Sequence, residues 1–69
     1  MSDTVRVNGE DQILTASTIA ELLRARGIAL STRFLAVAIN GAVVPRRGWD
    51  EAKIGNGDKV EIVSPLQGG

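Results

Sequence analysis

The stretch Phe34-Leu35-Ala36-Val37-Ala38-Ile39-Asn40-Gly41-Ala42-Val43-Val44-Pro45 decides the fold. It opens with a nearly continuous apolar run, and such a run ordinarily marks a strand buried on both faces. A small domain with one helix has cover for only one face of a sheet. The run is therefore read with Leu35, Val37 and Ile39 toward the core and Phe34, Ala36 and Ala38 away from it, which leaves a second apolar face exposed. Asn40-Gly41 closes the run with the dipeptide best suited to a tight hairpin turn, because both central positions of that turn need positive φ. Val43-Val44 follows, and Pro45, which has no amide hydrogen to give a ladder, ends the strand.

Upstream, Ser17-Thr18-Ile19-Ala20-Glu21-Leu22-Leu23-Arg24-Ala25-Arg26-Gly27 is the helix that must supply that cover. Thr18 and Glu21 have the capping-box spacing, in which the hydroxyl accepts from the third helical amide and the carboxylate reaches back to the cap amide. Arg24 and Arg26 suit the negative end of the helix dipole, and Gly27 supplies the left-handed residue that stops the helix. Ile19, Leu22 and Leu23 share one face, and a helix this short holds only when that face lies on a sheet. Before it, Thr4-Val5-Arg6-Val7 alternates as a half-buried strand does. Asn8-Gly9 is a second turn pair and Gln12-Ile13-Leu14-Thr15 reads as the returning strand, with Gly9-Glu10-Asp11 able to lengthen the loop. Residues 28–33 connect the helix to the central run.

Downstream, residues 46–54 have too little period for a long helix and are expected to hold a single turn around Trp49 to Ala52, with Trp49 partly buried. Arg46 and Arg47 read as a solvated charge pair, or as groups that steer toward acidic partner surfaces. Gly55-Asn56-Gly57-Asp58 is a tight turn in which Asp58 supplies turn chemistry. It lacks phosphate-loop spacing and leads into a strand, not a helix. That strand is Lys59-Val60-Glu61-Ile62-Val63, with Val60 and Ile62 inward and Lys59, Glu61 and Val63 outward. The order is strand, strand, helix, strand, strand, short helical turn, strand. It matches the α+β ubiquitin-like β-grasp fold, in which a mixed sheet of four to five strands wraps one helix and the last strand lies centrally beside the first. Residues 1–63 form the domain, and residues 64–69 a flexible, extended tail ending in Gly68-Gly69.

Composition narrows the chemistry. A chain of 69 residues makes one domain that buries only about 60% of the surface its unfolded chain exposes, too little for a deep enclosed active site. Cysteine and histidine are absent, which removes thiol nucleophiles, an imidazole base and the usual zinc ligands, so neither side-chain catalysis nor a metal site is expected. Eight basic residues balance eight acidic ones, so no net charge points to nucleic acid or an anionic membrane. No stretch approaches the ~18 apolar residues of a membrane span, and Met1-Ser2-Asp3-Thr4 lacks the features of a secretion signal. A soluble, cytoplasmic protein is expected. Gly68-Gly69, taken alone, is either a frayed end or a presented tail.

Taken together, these marks resemble the sulfur carrier protein of thiamine biosynthesis, the ThiS family, over essentially the full length. They are Val7-Asn8-Gly9-Glu10 in the first hairpin and Thr18-Ile19-Ala20-Glu21-Leu22-Leu23 in the helix. Val37-Ala38-Ile39-Asn40-Gly41, Val43-Val44-Pro45-Arg46 and Trp49 follow, then Gly57-Asp58-Lys59-Val60-Glu61-Ile62-Val63 and Gly68-Gly69. The resemblance implies that the reactive group is the carboxylate of Gly69. An E1-like activating enzyme using ATP with Mg adenylates it, and sulfur from a donor such as a cysteine desulfurase persulfide replaces the adenylate. The thiocarboxylate then gives its sulfur to thiazole synthase. The carrier itself is no enzyme and binds no cofactor.

The residues fit that expectation. A carboxylate of pKa about 3.5 is a poor electrophile until it carries a leaving group, so a partner must supply ATP and catalysis. Gly68 and Gly69 leave no side chain to obstruct a narrow channel. Pro65 stiffens the root of the tail, Gln67 precedes the glycines, and Leu66 either anchors the tail on a partner or folds back on its own domain. Phe34, Ala36, Ala38 and Val63 form a partner-docking patch, unless residues 28–33 cover part of that face. Other readings are the small subunit of molybdopterin synthase, a non-covalent β-grasp binding module, and a ubiquitin-like modifier. The short chain and Ser64-Pro65-Leu66-Gln67 look more like the thiamine carrier.

Overall fold

The computed structural model describes residues 2–64. Five strands and one α-helix follow in the order β1 (Thr4–Val7), β2 (Glu10–Ile13), α1 (Ile19–Ala25), β3 (Ala36–Ile39), β4 (Ala42–Val43) and β5 (Lys59–Val63), with a 3-10 turn at Arg46–Gly48 before β5. The strands lie side by side as β2-β1-β5-β3-β4. β5 is central, parallel to β1 and antiparallel to β3. This is the mixed β-grasp sheet with five strands, in which β1 and β5, the first and last of them, are neighbours.

Both hairpins turn on Asn-Gly. Asn8 and Gly9 have φ of 51° and 85°, Asn40 and Gly41 of 51° and 84°, the mirror-image turn whose twist suits paired strands. In the first hairpin the turn is the minimal two residues, so Val7 faces Glu10 and the returning strand begins at Glu10, not Gln12. Asn8 also does a second task. Its Oδ1 accepts from the Ile62 amide at 2.7 Å, so a side chain continues the parallel ladder where β1 turns away.

The helix is fixed at both ends. Glu21 N–H donates to Thr18 Oγ1 at 3.2 Å, but the Glu21 carboxylate passes the cap amide and accepts from the Ser17 amide and hydroxyl at 2.7 and 2.6 Å. The amides of Ile19 and Ala20 donate to the carbonyls of Ala52 and Trp49, both at 3.0 Å. Together these satisfy donors that a helix start leaves open. At the other end Gly27 has φ +76°, and its amide and that of Ile28 return to the Arg24 and Leu23 carbonyls, a Schellman stop.

That use of Trp49 and Ala52 explains where the chain turns between β4 and β5. The helical turn starts at Arg46, three residues before the expected Trp49, because the Trp49 and Ala52 carbonyls must face the helix start. Trp49 is not partly but fully buried, at 2% exposure, with Nε1 donating to the Val44 carbonyl at 2.9 Å. It packs in one core with Val5, Val7, Ile19, Leu23, Val37 and Val60.

Candidate functional site

β5 alternates as expected, Val60 and Ile62 buried and Lys59, Glu61 and Val63 exposed. Its antiparallel register with β3 sets Ala36 opposite Val63 and Ala38 opposite Glu61, while the β3–β4 register sets Ala38 opposite Val43. Residues opposite one another share a face. Ala36, Ala38 and Val63 therefore lie together on the side of the sheet away from the helix, in a shallow groove lined also by Val43 and Glu61.

Val43, 77% exposed, joins this face although the sequence reading did not single it out. The signal was available. A two-residue Asn40-Gly41 turn forces Ile39 against Ala42, and hence Ala38 against Val43. Phe34 stands apart from the other three, because β3 begins at Ala36 and Phe34 precedes it with left-handed backbone, φ +61°. Its ring is 76% exposed, with the Arg33 guanidinium 5.3 Å from the centroid.

The other half of the same face is polar. Arg6, opposite both Asp11 on β2 and Lys59 on β5, pairs with Asp11 at 2.9 Å. The Arg6 hydrogen bond and charge hold the Asp11 carboxyl below its ordinary range. A wider groove of about 460 Å³ runs beside this pair, lined by Arg6, Asn8, Gly9, Lys59, Val60 and Glu61. Elsewhere, Asp58 accepts from the Gly55 amide at 2.8 Å and from the Asn40 side-chain amide at 3.0 Å. These lower its pKa, the Gly55 bond foremost. The Ser17 hydroxyl and then its amide lower that of Glu21. Each of these carboxylates is engaged in capping, turning or pairing. No group of His, Cys, Asp and Glu among the described residues could hold a metal ion, and no helix among them is long and apolar enough to cross a membrane.

The last described residue, Ser64, is 8% exposed at the end of β5. The residues to which the sequence reading gave the chemistry, Pro65, Leu66, Gln67, Gly68 and Gly69, lie outside the described residues. What the domain fixes is where they begin. Val63, beside Ala36, brings the chain out of the sheet at the edge of the apolar groove.

The model of the ThiS family matches residues 5–69. The chain belongs to the ThiS family. Its relatives agree with its fold. The crystal structure of a thiamine biosynthesis protein (ThiS) from Geobacter metallireducens superimposes with a TM-score of 0.76 at 28% identity, covering 88% of this chain and 91% of that one. An NMR solution structure of a thiamine biosynthesis protein from the same organism gives 0.70 at 28% identity, over 87% of this chain and 80% of that one. A thiazole synthase of Paramagnetospirillum magneticum is 33% identical over 63 residues, 91% of this chain and 19% of that protein. This ThiS-family chain thus spans about a fifth of the length of that relative.

Proposed function

We propose that this protein is a sulfur carrier for thiazole formation in thiamine biosynthesis, acting as a protein co-substrate and not as an enzyme. The observation that carries the reading is the family match, which runs from the first strand through Gly68-Gly69. An activating enzyme uses ATP with Mg to join AMP to the Gly69 carboxylate, releasing pyrophosphate. The terminal sulfur of a persulfide, as from a cysteine desulfurase, then displaces AMP to form an acyl disulfide. A thiol cleaves that S–S bond, itself ending in a disulfide, to release the thiocarboxylate that is the sulfur donor. Thiazole synthase is the proposed acceptor enzyme. A thiazole synthase that contains a segment similar to 63 residues of this chain supports that partner over molybdopterin synthase.

The described domain suits a carrier. Asp11, Glu21 and Asp58 are spent on structure, the chain has no thiol or imidazole, and Ala36, Ala38, Val43 and Val63 offer an apolar face beside the root of the tail. That face, with Phe34, is the proposed docking surface. Residues 65–67 lead Gly68 and Gly69 into the partner's channel.

Intact-mass spectrometry after incubation with ATP, Mg, the activating enzyme and a sulfur donor tests the reading. The expected result is a gain equal to sulfur replacing one oxygen, mapped to Gly69 and absent when Gly69 is deleted. A gain that survives the deletion overturns the mechanism.

A further inference from the structure

The neutral total charge conceals a segregation. Residues 22–49 hold Arg24, Arg26, Arg33, Arg46 and Arg47 and no Asp or Glu, so all eight acidic residues lie elsewhere. The fold gathers part of this basic stretch where β5 ends. Ala36, opposite Val63, is preceded directly by Arg33-Phe34-Leu35, and the Val44 amide donates to the Val37 carbonyl, which returns the chain toward the same end before Arg46. The Arg46 guanidinium donates to the carbonyls of Leu30 and Thr32, the latter at 2.6 Å, and lies 4.7 Å over the Trp49 ring. Arg46 is exposed like Arg33 and Arg47, but its guanidinium is committed to the connector, which leaves Arg33 and Arg47 as the cations at this corner available to a partner.

Phe34 is the second observation. An aromatic residue in left-handed backbone is strained, and a ring 76% exposed recovers little by burial. Strain held in place by a neighbouring clamp, with no return in packing, marks a residue kept for contact with something outside the domain. Aromatic and arginine side chains are also those that dominate protein interfaces.

We propose, resting on the carrier reading, that Arg33, Phe34 and Arg47 form a preset anchor for the activating enzyme, whose matching surface is an apolar pocket rimmed by carboxylates. The arginines steer the acidic rim toward the root of the tail and Phe34 fills the pocket. A nucleotide is the wrong occupant. The adjoining groove is about 170 Å³ and includes Glu61, too small for such a ligand and repulsive to phosphate.

The test is association kinetics with the purified activating enzyme that produces the mass gain, at 50 to 300 mM salt. The wild-type rate is expected to fall as salt rises. Arg33→Glu with Arg47→Glu should slow association about tenfold at low salt and flatten the salt dependence. Phe34→Gly, which accepts positive φ, should raise the dissociation constant about tenfold or more with the melting temperature held within a few degrees. Unchanged kinetics in both variants overturn the anchor, while the mass gain persisting in wild type shows that the carrier reading stands. No mass gain in wild type sinks the carrier reading and the anchor with it. Titration of the labelled protein with Mg-ATP alone should leave the Arg33 and Arg47 resonances in place, and shifts confined to them would make this a nucleotide site instead.

Discussion

Single residues here carry more than one task, and the second task is the one a local reading misses. Asn8 was legible as a turn residue from the Asn-Gly pair, but its bond to the Ile62 amide joins positions 54 apart in the chain. Phe34 was legible as exposed, yet its left-handed backbone follows no local rule, because the connector's path is set by Arg46 from a distant turn. Arg46→Ala should therefore cost about 1–2 kcal/mol, for two hydrogen bonds and the stacking over Trp49, measured by urea denaturation. Arg46→Lys should recover little of it, since an ammonium lacks the planar fork that reaches both carbonyls. The Asp58 carboxyl gives a pH test. Its folded pKa is depressed by Gly55 and Asn40, so its stabilisation is complete above the unfolded carboxylate range near 4 and is lost as pH falls through the folded value. Asp58→Asn should lower the urea midpoint at pH 7 and match wild type near pH 2. An equal deficit at both pH values refutes the linkage.

At the level of elements, the strands with period-two patterns and the helix with its cap and stop were readable because those signals are local. Boundaries shifted where tertiary bonds decide them. The turn begins at Arg46 because the carbonyls of Trp49 and Ala52 complete the start of α1, and Glu21 reaches Ser17, whose carbonyl is held by the Ile54 amide beside the bridge of Thr18 with Lys53. Of the candidate site, the apolar row of Ala36, Ala38 and Val63 was legible from alternation, whereas Val43 needed the hairpin register. Thr18→Ala removes the oxygen that receives the Glu21 amide and should cost about 1 kcal/mol. Gly27→Ala places a side chain at φ +76° and should cost about 1–2 kcal/mol. Chemical denaturation reads both, and a cost under a few tenths for Gly27→Ala contradicts the Schellman stop.

For the molecule as a whole, one small core does all the holding. Stability of about 0.05–0.15 kcal/mol per residue gives a domain of this length roughly 3–10 kcal/mol in total. Leu23 is fully buried, and Leu23→Ala should cost about 2–5 kcal/mol, enough to bring the protein near its unfolding threshold at 37 °C. A melting temperature reduced by only a few degrees would show a core that collapses around the gap. Central placement of β5 has a mechanical consequence as well. A pull on the chain beyond Ser64 acts along β5, between β1 and β3, so it loads the bonds of both ladders in shear at once instead of unzipping them singly. A partner that grips the tail, as proposed above, would therefore load a strand held on both sides, and the domain would resist unravelling under that pull.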